Sequence, residues 1–137
     1  MKNIILLFIF LFSITANSLT IIVNKSNPIN SISISSLRNI YLMSVNNWIN
    51  REKIQIIDYK TSNDNRKNFC KIYLNGLSPY RESKYWIKAA LGGQNSPPLI
   101  MDSEQEAIDY VARNSAAIAY INSKNTKIEK VKILKIE

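Results

Sequence analysis

The chain contains no histidine in its 137 residues. That absence removes imidazole bases, Ser-His-Asp arrangements and most zinc sites together. Cysteine is present once, at Cys70, so no disulfide can form within the chain. Cys70 falls on the apolar side of a helical pattern, where a thiol is buried and inert. No pair of acidic residues closes a strand end in the manner of an acid–base site. These gaps point away from an enzyme, and neither a cofactor nor a metal is expected.

Glycine and proline are scarce too, with three and four residues. The stretch "GGQNSPP", from Gly92 to Pro98, holds two of each and forms the one abrupt interruption in the chain. Acidic residues number 10 against 18 Lys and Arg, giving a net charge of +8. An excess of that sign favours nucleic acid, anionic membrane surfaces or small anions. The basic residues are scattered, however, without a block or a basic–aromatic repeat, so nucleic acid is not expected as a partner.

Apolar runs are short except at the start. Lys2 precedes "NIILLFIFLFSITANS", which ends in the small-residue pattern Ala16-Asn17-Ser18. A basic start, an apolar centre and small residues at the end describe a secretory signal peptide, residues 1–18. The run is well short of the roughly 20 apolar residues of a membrane span. Cleavage after Ser18 would leave a domain over residues 19–137 with no span of its own, exported to the periplasm.

Within that domain, "LTIIV" (Leu19 to Val23) is a β-branched apolar run predicting a buried first strand. Ser35 is placed to cap a helix through "SLRNIYLMS", followed by a strand in "KIQIIDY". Ser62 or Asn63 can cap the next helix, in which Phe69, Cys70 and Tyr73 share a face and which Gly76 stops. Ser78-Pro79 opens a third helix with proline at its first position, and its apolar side is expected along Tyr80, Ile87 and Leu91. Ser103 and Glu106 have capping-box spacing, ahead of a stripe of Ala107, Ile108, Val111 and Ala112. "AAIAYI" and "KVKILKI" complete the strands, the latter with lysines suited to a sheet edge. Strands alternating with helices predict one α/β lobe. Trp48 and Trp86 are expected in its core.

Taken in order, "NKSNPINSISISSLRNIYL", "YWIKAALGGQNSPP" and "DSEQEAIDYVARNSAAIAYI" resemble single-lobe, phosphate-binding-like members of the type 2 periplasmic binding protein family. The likeness runs from Leu19 to about Ile121. It departs from the family's "GAIGY" strand, which here is Ala116 to Tyr120 with both glycines replaced by alanine. The resemblance implies a mixed sheet flanked by helices, an exported solute-binding-like protein of an ABC transporter system, and a small oxyanion such as phosphate as ligand. A membrane transporter or a sensor is the implied protein partner. It further implies that "GGQNSPP" is a hinge-like connection, although a purely structural turn explains it better; Gly92 and Gly93 can take positive φ and stop the helix before it.

Relatives that hold phosphate carry Ser-Gly-Thr ahead of the helix phenylalanine, where this chain has Asn63-Asp64-Asn65. The residues implied for an anion are Thr61, Ser62, Asn63 and Arg66, joined by Ser26 and Asn27 of the first loop. Each also has a plain structural role: helix capping for Thr61 to Asn63, a solvated charge for Arg66, a turn for Ser26 and Asn27. An envelope interaction domain that keeps the fold without the anion site is the alternative. Asp58, at the end of its strand, fits either a ligand contact or a cap.

Overall fold

The computed structural model describes residues 18–93 and 95–137. The signal-peptide expectation therefore lies outside the described residues, apart from Ser18.

Six strands form one mixed sheet in the order β2-β6-β1-β5-β3-β4. They are β1 (Leu19–Val23), β2 (Ser31–Ile32), β3 (Gln55–Tyr59), β4 (Leu99–Met101), β5 (Ala117–Asn122) and β6 (Lys132–Ile136). Strand β1 runs antiparallel to both β5 and β6, whereas β3 runs parallel to β4 and β5. Four helices complete the lobe: α1 (Ile34–Tyr41), α2 (Asp64–Tyr73), α3 (Pro79–Leu91) and α4 (Glu104–Arg113). The sheet is an α/β one with helices packed on it. Central β5 is buried at every position from Ala117 to Ile121, as expected of a strand covered on both faces.

Capping follows the residue chemistry closely. Asn63, Ser78 and Ser103 each accept the amide three residues on, from Arg66, Arg81 and Glu106. The Glu106 carboxylate in turn accepts the Asp102 amide at 3.0 Å, one residue upstream of a standard capping box. Ser33 rather than Ser35 caps α1, taking the Ser36 amide at 3.0 Å. Moving the start back two residues leaves Leu37, Ile40 and Tyr41 on the buried side.

Three expectations need correction. Strand β6 is not an edge, because β2 pairs beside it in parallel. Its Lys132 folds over to donate to the Asn27 carbonyl at 2.6 Å and to Asn30 Oδ1 at 3.0 Å. In the "GGQNSPP" connection only Gly93 takes positive φ, at 69°, while Gly92 caps α3 in the ordinary helical region. The prolines lead directly into edge strand β4, which pairs with β3.

The third correction concerns α3. Tyr80, Ile87 and Leu91 are exposed, by 69%, 58% and 85%, and the buried residues are Glu82 and Trp86. A glutamate faces inward because α2 presents an arginine to it.

Candidate functional site

In an open α/β sheet, ligands sit beyond the carboxyl ends of the parallel strands. Here β3 and β4 end at Tyr59 and Met101, and β5 ends beside them at Asn122. The helices that follow β3 and β4 both start at this end, so the N-termini of α2 and α4 open onto the same rim. Lys60 and Asp102 mark it with an exposed ion pair of 3.3 Å.

Helix α2 starts from a turn that the Asn63 amide closes on the Lys60 carbonyl at 2.9 Å. Thr61 and Ser62 are exposed in that turn. The Asn63 side chain accepts the Arg66 amide at 3.2 Å, and its carbonyl accepts Lys67. The amides of Asp64 and Asn65 are thereby left at the helix start, as the first donors of a helix are.

A carboxylate of the chain itself occupies the rim between the two helices. Glu104, the first residue of α4, accepts from Asn65 Nδ2 at 2.6 Å and from Asn125 Nδ2 at 3.0 Å. It also accepts the Asn122 backbone amide. Donors from α2, from the end of β5 and from the loop after it thus converge on one oxyanion. Sequence reasoning did not single out Glu104. Its only signal was a glutamate directly after the Ser103 cap, which is ordinary helix-start chemistry.

Arg66 does not reach this rim as a free cation. It is 2% exposed. Its Nε donates to Glu82 Oε1 at 3.0 Å, Nη1 to the Tyr59 carbonyl at 3.0 Å, and Nη2 to the Pro79 carbonyl and Ser83 Oγ at 3.0 and 2.9 Å. The guanidinium also stacks 4.4 Å from the Trp86 ring centroid. The solvated-charge reading of Arg66 is thus corrected, because α3 packs over it.

Beneath Arg66 lies Asp58, fully buried, with Oδ1 3.9 Å from Arg66 Nε. The same oxygen accepts the Tyr59 amide at 2.8 Å and the Tyr120 hydroxyl. Burial pushes the Asp58 carboxyl up to about 6, against the pull of Tyr120, Arg66 and the Tyr59 amide. Burial pushes Glu82 further, to about 8, with the Asp58 charge adding to the rise and Arg66 opposing it. Asp58 Oδ2 and Glu82 Oε2 have no partner among the described residues. Tyr41, Phe69 and Tyr120 wall the trio in, Phe69 stacking on Tyr120 at 4.2 Å. Asp58 is a structural anchor here, not a rim group. Trp48 is also structural, its Nε1 donating to the Ala116 carbonyl at 2.9 Å.

Ser26 and Asn27 are not near α2. They follow β1, whose end at Val23 lies beside Ile118 near the start of antiparallel β5. Asn24 in the same loop donates to the Val111 and Ala112 carbonyls at the end of α4. Asn65 contacts the beginning of α4, so ten residues of helix, about 15 Å, separate the two places. Ser26 is tied to Asn24 Oδ1, and Asn27 is buried with Oδ1 accepting the Ile29 amide. Asn27 Nδ2 has no partner among the described residues. The expectation that loop and helix start form one site is corrected by strand direction.

The mixed sheet and its flanking helices form a single lobe of the binding-protein type in fold. A family description of the PBP superfamily domain matches residues 9–135, and the chain belongs to that superfamily. No curated protein matches it in sequence. Among solved structures it is similar to PstS from Borrelia burgdorferi, at 21% identity and a TM-score of 0.72, over 88% of this chain and 47% of that one. It is also similar to an ABC-type phosphate transport receptor from Vibrio cholerae, at 20% identity and a TM-score of 0.69, over 88% and 46%. At such identities the likeness is one of fold, and this chain spans just under half the length of those proteins.

Proposed function

We propose that this chain is an exported solute-binding-type lobe whose seat for a small oxyanion, such as phosphate, lies on the rim between the starts of α2 and α4. The observation that carries the reading is the Glu104 carboxylate, itself an oxyanion, held there by three N–H donors. Helix starts attract anions through their free amides and dipoles. Thr61, Ser62 and the amides of Asp64 and Asn65 border the seat and supply further donors. The related structures are of a phosphate transport receptor and PstS, which supports phosphate as the first anion to test and a membrane transporter or sensor as protein partner. Export, with a mature chain starting at Leu19, belongs to this reading. Intact mass of envelope-extracted protein that retains Met1 to Ser18 would contradict that part.

A second reading is a lobe that keeps the fold as an envelope interaction domain without a ligand. Two features favour it: Asp64 and Glu104 put two carboxylates at the rim, and Arg66 is engaged elsewhere. The oxyanion-seat reading places the affinity of the parent chain in the weak range, on the order of micromolar to millimolar. Calorimetry against phosphate, sulfate and small organic anions, on the parent, on Asp64→Gly and on Glu104→Ala, separates the two readings. Tighter binding after Asp64→Gly supports the oxyanion seat. No heat from the parent, from Asp64→Gly or from Glu104→Ala, in which the three donors are freed, gives the chain to the interaction-domain reading.

A further inference from the structure

Eleven large apolar side chains are exposed among the described residues, and three of them, Tyr80, Ile87 and Leu91, line one side of α3. Single exposed apolar residues are ordinary, whereas a contiguous group marks a contact surface. On α3 the spacing is helical. Tyr80, Lys84, Ile87 and Leu91 fall at i, i+4, i+7 and i+11, one stripe along the helix. Arg81 and Lys88 follow at the adjoining positions. A shallow apolar groove between Trp86, Ala90 and Pro97 extends the stripe on its other side.

Charge decides what this face would meet. The outward side of α3 carries three cations, Arg81, Lys84 and Lys88, all exposed. The one acidic residue of the helix, Glu82, is buried against Arg66. An apolar stripe bordered by cations alone, with Lys84 lying 5.0 Å from the Tyr80 ring centroid, is the pattern of a helix lying in a membrane interface. Tyr80 adds a ring that places an apolar body in the acyl boundary and a hydroxyl among headgroups. Thirteen residues give the face a length of about 20 Å.

We propose that the outward face of α3 seats the protein on an anionic lipid surface. This surface is separate from the rim that carries the oxyanion seat, so either can fail without the other. It acts with the rest of the lobe folded, because the residues that hold α3 in place, Glu82 and Trp86, point inward.

Cosedimentation of the full chain with vesicles tests it, using equal parts phosphatidylglycerol and phosphatidylcholine against phosphatidylcholine alone. Parent, Ile87→Ser/Leu91→Ser and Lys84→Gln/Lys88→Gln are compared, with thermal melts confirming that these exposed substitutions leave the fold intact. All three proteins share residues 1–18, so differences among them belong to α3. The expected result is preferential binding of the parent to the anionic vesicles, weakened roughly thirtyfold by the lysine pair at about 1 kcal/mol per charge. The Ile87/Leu91 pair should weaken it comparably. Equal binding by parent and both variants, or no binding by the parent, overturns the proposal. A parent dimer seen by light scattering and dissolved by Ile87→Ser/Leu91→Ser would overturn it in favour of a second copy of the chain.

Discussion

Arg66 and Glu82 meet between α2 and α3, with Nε and Nη2 of the arginine each 3.0 Å from the same Oε1 and both side chains out of water. Removing one partner of such a pair leaves the remaining charge buried, which costs far more than the pair contributes. In this lobe the stranded charge after loss of Arg66 is the Asp58 carboxylate, held in the sheet by Tyr120 and the Tyr59 amide. Arg66→Met should therefore destabilise the fold by about 3–5 kcal/mol, measured as the shift in urea unfolding near neutral pH. A loss below about 1 kcal/mol would mean that the cluster does not hold α3 to α2.

The same cluster makes stability depend on pH. Glu82 titrates near 8 in the folded protein against an ordinary 4.5, and Asp58 near 6 against 3.8. A raised folded-state value means that the folded chain keeps a proton which the unfolded chain releases. Stability from these groups is thus fullest below about pH 4 and declines as pH rises, through 6 for Asp58 and through 8 for Glu82. Near pH 7 Glu82 is largely neutral, leaving one carboxylate opposite one guanidinium. Glu82→Gln, which has no proton to lose, should consequently remove the Glu82 share of that decline, leaving the variant more stable than the parent at pH 7 and its profile flatter from about pH 5 to 8. Urea midpoints across that range check this, and a slope unaltered by the substitution would contradict it.

Cys70 lies 3.7 Å from Glu82 Oε1 and is 1% exposed. Burial, with the Glu82 and Asp58 charges adding to it, pushes its thiol well up, so little of the reactive thiolate exists at neutral pH. In the folded protein it should resist a thiol reagent such as dithionitrobenzoate and become titratable only in denaturant. Rapid labelling of the native chain would show that α3 opens readily.

The sequence displayed the elements that obey simple patterns. Leu19 to Val23, Gln55 to Tyr59 and Ala117 to Asn122 are β-branched or apolar runs long enough to declare strands. Asn63, Ser78 and Ser103 announce three of the four helices by capping chemistry. Strands β2 and β4 span two and three residues, too short for any periodicity to appear, and β2 is what moves β6 off the edge. The face of α3 was misread because hydrophobic patterning assigns charged residues outward. Glu82 and Arg66 violate that rule together, and a mutual contact of residues 16 apart has no local trace. Strand direction was equally hidden. Only the antiparallel pairing of β1 with β5 sends Ser26 and Asn27 to the far end of α4 from Asn63.

The central claim, that the rim between α2 and α4 is a seat for an oxyanion, is tested most directly by removing the carboxylate already there. Glu104→Ala frees the Asn65 and Asn125 side-chain amides and the Asn122 backbone amide without touching the buried core. Phosphate is then titrated into parent and variant while the Asn122 amide resonance is followed by NMR. The account predicts a saturable shift of that resonance in Glu104→Ala, with at least about tenfold tighter binding than in the parent, or roughly 1.4 kcal/mol. An Asn122 resonance that stays in place in both proteins, at phosphate concentrations well into the millimolar range, would contradict it.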